Sequence, residues 1–128
     1  MSEFNNAQQE EYSRLINKSE DYIEAHLDDI ISLEDLANHA NFSSYHFHRL
    51  FKEYSRETLK QFVTRIKMER AALFLSINQS ISLTEVALNY GYSDVSSFSR
   101  AFKRYFGRSP SHYRREQEMT RKKTEKLS

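Results

Sequence analysis

Two quartets in the chain, Arg49-Leu50-Phe51-Lys52 and Arg100-Ala101-Phe102-Lys103, repeat one pattern of guanidinium, aromatic ring and ammonium. If each lies on a helix with its phenylalanine inward, the arginine and lysine three positions apart share the opposite face. Tyr45 and His48 fall on that face in the first copy. Ser96 and Ser99 fall there in the second, with Ser97 at its edge. Arginine binds guanine O6 and N7 in bidentate fashion, serine bonds to donor or acceptor edges, and an aromatic ring packs on a thymine methyl; a good bidentate contact discriminates by about 1–3 kcal/mol. Lys52, Lys103 and Arg104, further along, suit phosphates, which fix position without specifying sequence. The chemistry on offer is groove reading of double-stranded DNA.

Other chemistries find less support. The chain has no cysteine, so it has no thiolate metal site. His46 and His48 stand two residues apart, which on a helix points them about 200° from each other, and no metal is expected. There is no Gly-x-Ser-x-Gly elbow and no glycine-rich phosphate loop, so neither an enzyme nor a cofactor is expected. No apolar run approaches the roughly 18 residues of a membrane span. The polar start "MSEFNNAQQEEY" is unlike a signal peptide, and a cytoplasmic protein is the simplest reading.

The net charge of +1 hides an asymmetry. Residues 1–36 hold ten acids against two bases, a balance of −8, and the rest of the chain holds seventeen bases against eight acids, +9. Such a split favours a polyanion on the basic side and leaves an acidic surface on the other. A second reading follows from it: a protein-interaction or anti-activator module working through the acidic first helix.

These side chains need helices to position them. Tyr12, Leu15, Ile16, Ser19, Tyr22, Ile23, His26 and Leu27 keep the i, i+3, i+4, i+7 rule of an amphipathic helix, with His26 expected as a satisfied core histidine. Ser32 and Asp35 form a near capping box ahead of the stripe Leu33, Leu36, Ala37, Ala40. After a break near Asn41-Phe42, a further helix turns Phe47, Leu50, Phe51 and Tyr54 inward. No stretch alternates with period two, so no sheet is predicted.

The second half repeats the first. Ile81-Ser82-Leu83 matches Ile31-Ser32-Leu33 and Tyr92-Ser93 matches Phe42-Ser43 at an offset of 50; from Phe47 and Phe98 onward the offset is 51. One residue is therefore inserted near the start of the second copy's later helix, in which Phe98, Phe102 and Tyr105 are expected inward. Each copy reads as short helix, left-handed residue (Asn41 or Gly91), N-cap (Ser43 or Ser44; Ser93 or Asp94) and second helix, a helix-turn-helix layout. Between the copies, residues 58–76 put Leu59, Phe62, Val63 and Ile66 on one stripe and Met68, Ala71, Ala72 and Leu75 on a nearly opposite one. A helix of that length spans roughly 28 Å, comparable to the about 34 Å between major-groove turns on one DNA face. The predicted architecture is all-α, about seven helices: a polar tail at 1–11, a helix-turn-helix subdomain at 12–57, a linker helix at 58–76, a second helix-turn-helix subdomain at 77–117 and a basic tail at 118–128.

The stretch "ISLTEVALNYGYSDVSSFSRAFKRYFGRSPSHYRRE" resembles the DNA-binding signature of the AraC/XylS family of bacterial transcription regulators. The marks are Ala87, Gly91-Tyr92, Ser97-Phe98-Ser99-Arg100, Phe102-Lys103, Phe106-Gly107 and Ser109-Pro110 before Tyr113-Arg114, and the likeness extends over 31–115. It implies two recognition helices entering neighbouring major-groove segments. By that resemblance Tyr45, His48 and Arg49 read bases in the first module, and Ser96, Ser97, Ser99 and Arg100 in the second, where short serines leave most readout to Arg100. Ser43, Ser44, Lys52, Ser93, Lys103, Arg104, Ser109 and Arg114 are expected at phosphates. The short chain is similar to stand-alone members that bind asymmetric sites as monomers, recruit RNA polymerase as activators and are controlled by abundance.

Overall fold

The computed structural model describes residues 2–127, and the outermost residues of the two expected tails, Met1 and Ser128, lie outside them. Among the described residues there are seven helices and no strand: α1 (Ser2–Ala25), α2 (Leu33–His39), α3 (Ser44–Tyr54), α4 (Leu59–Ile77), α5 (Leu83–Asn89), α6 (Val95–Phe106) and α7 (Pro110–Leu127). The chain is all-α. It divides into two compact units, one ending at Ile66 and the other beginning at Lys67, so the boundary falls inside α4.

The first unit packs α1, α2, α3 and the first turns of α4 around one core. Leu15, Ile23, Leu36, Ala37, Phe47, Leu50, Phe51, Phe62 and Ile66 are buried in it, with Tyr12, Ile16, Tyr22 and Leu27 packed against its edge. Each fully buried phenylalanine contributes about 1.5–3 kcal/mol over leaving it in water. Ser19, buried on the same stripe, donates its hydroxyl to Leu15 O at 2.7 Å, so no polar group is stranded. His26 sits just past the end of α1, where its Nδ1 meets Tyr22 O at 2.8 Å and its ring stacks on Tyr22 at 3.9 Å. Its ring is hydrogen-bonded as expected, but it is half-buried beyond the helix end rather than part of the core.

The second unit repeats the scheme with the rest of α4, α5, α6 and α7. Met68, Ala71, Ala72, Leu75, Val86, Ala87, Tyr90, Phe98, Phe102 and Pro110 are buried. The α4 helix thus changes its buried face midway, from Phe62 and Ile66 in the first unit to Met68, Ala71, Ala72 and Leu75 in the second. Tyr90 donates its hydroxyl to Arg70 O at 3.1 Å and sets its ring edge-on to Phe74, fixing α5 against α4. Tyr113 fixes α7 through rings at 5.5 Å from Phe102 and 5.8 Å from Phe106.

The helix ends carry the punctuation that the sequence foretells. Ser32 and Asp35 complete a capping box, with both reciprocal bonds at 3.1 Å. Thr58 and Gln61 make the equivalent pair at the start of α4. At the other end of α2, Phe42 N donates to Ala37 O at 2.9 Å and Asn41 N to Asn38 O at 3.2 Å, the paired bonds of a Schellman motif. Tyr92 N to Ala87 O and Gly91 N to Leu88 O repeat it after α5. Asn41 (φ 62°) and Gly91 (φ 87°) are both left-handed, as this motif requires.

Several features differ from expectation. Tyr105 does not turn inward: it is 41% exposed, and its hydroxyl reaches Glu69 Oε1 at 3.4 Å. Phe106, four residues after Phe102, takes the inner stripe instead, 4.6 Å from the Phe102 ring. The α1 helix also begins at Ser2, well ahead of the apolar stripe that starts at Tyr12, and α7 runs to Leu127 through the basic stretch. No glycine or proline follows Pro110 to stop it, and Glu118 pairs with Lys122 one turn on.

Candidate nucleic-acid interface

The first candidate surface is the outer face of α3. Ser43 holds the N-terminus in extended conformation and accepts from His46 N at 3.1 Å. With Phe47, Leu50 and Phe51 buried, the periodicity forces Tyr45, His48, Arg49 and Lys52 outward. Tyr45 is 76% exposed, a large aromatic surface without a covering partner in its own unit. These four side chains line one shallow groove together with Gln8 of α1 and Glu53.

The second surface is the outer face of α6. Its N-cap is Asp94, which accepts from Ser97 N at 2.7 Å. Ser43 and Asp94 are therefore equivalent at the offset of 51, and Ser93 is the inserted residue. The Ser97 bonds hold the Asp94 carboxyl below the usual aspartate range. Phe98 and Phe102 are fully buried, leaving Ser96, Arg100, Lys103 and Arg104 exposed, with Ser97 and Ser99 half-buried beside them. Arg100 Nη2 lies 3.4 Å from Ser97 Oγ. Gly107, left-handed at φ 78°, closes the helix and accepts no side chain cheaply there.

Electrostatically the two faces are alike. Arg49, Lys52, Lys103 and Arg104 make no ion pair with any described residue, so their charge is available to a polyanion. Ser43 and Ser109 accept from His46 N and His112 N, which leaves each hydroxyl proton free to be donated to a phosphate oxygen. Ser44 is the half-buried first residue of α3, and Ser93 is exposed just before the Asp94 cap.

Arg114 stands apart from this set. Its Nη1 donates to Gln79 O at 3.3 Å, and its Nε and Nη2 are buried. It joins the start of α7 to the residues after α4 rather than presenting a surface cation, because Tyr113 anchors that turn inward. Arg56 is a further exposed cation, just past the Ser55 C-cap of α3 and so outside any helical stripe in the sequence. His46 is occupied by Glu11, with Nε2 to Oε2 at 3.0 Å, and by the Phe42 ring. Among the described residues, no three His, Cys, Asp or Glu side chains gather as a metal site would need. None of the described helices is long and apolar enough to cross a membrane.

Comparison with known proteins matches these features. A family model described as a helix-turn-helix domain covers residues 36–116. The chain is 36% identical over 94 residues to the transposon Tn10 TetD protein of Escherichia coli, covering 73% of this chain and 67% of that one. It is 30% identical over 101 residues to the Msm operon regulatory protein of Streptococcus mutans, covering 79% of this chain but only 36% of that one. The chain thus spans about a third of the length of several curated relatives that it matches. Among solved structures, the DNA-binding domain of the global transcriptional factor AdpA, in complex with a target DNA, superposes with a TM-score of 0.64 at 25% identity, covering 81% of this chain and 96% of that one. Two helix-turn-helix units, the cationic outer faces of α3 and α6, and these likenesses lead to one assignment: the chain belongs to the AraC/XylS family of DNA-binding transcription regulators.

Proposed function

We propose that this protein is a sequence-specific regulator of transcription that places α3 and α6 in adjacent major-groove segments of one duplex. The observation that carries this reading is the repeated presentation of an unpaired cationic face on the second helix of each unit. Tyr45, His48 and Arg49 read bases from α3; Arg100, with Ser96, Ser97 and Ser99, reads from α6. Ser43, Ser44, Lys52, Ser93, Lys103, Arg104 and Ser109 hold phosphates. The two faces differ in chemistry, so the site they prefer is asymmetric and one copy occupies it.

The protein works in the cytoplasm as an activator that recruits RNA polymerase. Support for a protein partner comes from the acidic first unit: Ile30 is 98% exposed in the turn after α1, beside Asp28 and Asp29. An apolar tip in acidic surroundings suits a basic protein surface.

Gel shifts against genomic fragments test the proposal. Retardation should be seen at low salt and fall steeply as salt rises. Arg49→Ala and Arg100→Ala should each cost about 1–3 kcal/mol at the preferred site and relax it at one base pair. Absence of retardation at low salt would instead favour the protein-interaction reading of the acidic helix.

A further inference from the structure

The amino-terminal turns of α1 lie along the flank of α3. Glu11 meets His46 near the start of that helix, and Tyr54 near its end donates its hydroxyl to Gln8 Oε1 at 2.7 Å. Tyr12 packs on the Tyr54 ring at 5.3 Å, closing the contact. Gln8 is consequently brought into the same groove as Tyr45, His48, Arg49, Lys52 and Glu53. Nothing in the helical pattern of α1 marks it, because it precedes the apolar stripe.

The hydrogen bond from Tyr54 decides which end of the Gln8 amide is spoken for. Burial and the nearby Glu53 carboxylate raise the Tyr54 phenol above its ordinary value, so it keeps its proton and donates. Gln8 Oε1 is then taken, while its NH2 group makes no other bond among the described residues. An amide whose NH2 end presents two unused donors, beside Arg49 and Lys52, suits an anionic oxygen. Glu53 opposes an anion at one edge of the groove, and the two cations outweigh it.

We infer that Gln8 is a DNA-backbone ligand: its amide NH2 donates to a phosphate flanking the groove segment that α3 enters. The inference rests on the proposed docking of α3. It makes the forward end of α1 part of the binding surface, and the Tyr54 hydroxyl a positioning group that sets the amide.

The test is DNA affinity of the full chain for its selected site, measured for Gln8→Ala, Tyr54→Phe and Arg49→Ala, with thermal unfolding of each. Gln8→Ala should weaken binding by about 3- to 10-fold, as loss of one hydrogen bond does. The loss should be the same on every sequence tried, with an unchanged salt slope because no charge is removed. Tyr54→Phe, which breaks the same internal bond but keeps the amide, should lose clearly less. Wild-type affinity in Gln8→Ala, an equal loss in Tyr54→Phe, or a loss confined to one base pair would each overturn the inference. Arg49→Ala separates the two levels. If it loses affinity while Gln8→Ala does not, only the Gln8 role fails; if neither does, the docking of α3 fails.

Discussion

At the scale of single residues, the proposed function divides the outer faces of α3 and α6 between groups that read bases and groups that hold the backbone. In that proposal Lys52 and Lys103 belong to the second kind. Lys52→Ala and Lys103→Ala should each weaken binding evenly across sequences and lower the salt slope by about 0.9, as titrations at several salt concentrations would record. Asp94 does a different job: it caps α6, and the bonds from Ser97 depress its carboxyl. A carboxylate whose folded value lies below its unfolded one stabilises the fold above the unfolded value, roughly pH 4. That stabilisation is lost as pH falls through the folded value. Asp94→Asn keeps an acceptor for the helix start but cannot titrate, so as pH falls below about 4 its stability should fall less than that of the wild type. Denaturant melts across that window would show it.

At the scale of elements, much was legible because short-range chemistry fixes it. The caps Ser32 and Ser43, the left-handed Asn41 and Gly91, and the change of buried face along α4 all follow from residues within a turn or two of one another. What the sequence hid is long-range. The Gln8–Tyr54 and Glu11–His46 contacts join residues 46 and 35 positions apart, on a stretch whose polar composition resembles a solvated tail. Arg114 looks like a surface cation until the Tyr113 ring is seen to pull its turn inward. Tyr105 and Phe106 stand three and four residues after Phe102, and it is Phe106 that continues the inner stripe before Gly107 closes α6. That closure makes its own prediction. An added Cβ at Gly107 meets no atom within 4 Å, so Gly107→Ala is penalised by backbone conformation alone. The expected loss is about 1–2 kcal/mol, smaller for Gly107→Asn. Phe98→Ala, which empties the second core, should cost about 3–5 kcal/mol. Chemical denaturation would rank Phe98→Ala as the least stable of the three, then Gly107→Ala, then Gly107→Asn.

At the scale of the whole molecule, the two helix-turn-helix repeats and most of their core residues were legible, Tyr105 excepted, because a duplicated pattern gives an inference a second instance. The asymmetry of charge, −8 on residues 1–36 against +9 on the remainder, also shows in the sequence. It favours DNA association at low salt, and in the proposed function the acidic region is the surface for a protein partner. The proposed function requires both α3 and α6 to engage one duplex together through the α4 connection. Hydroxyl-radical footprinting and base-methylation interference on a site selected from a random DNA pool test that most directly. The predicted result is one asymmetric site with two contacted major-groove segments about one helical turn apart on the same face of the duplex. A single contacted segment, two segments on opposite faces, or a palindromic site filled by two copies would contradict it.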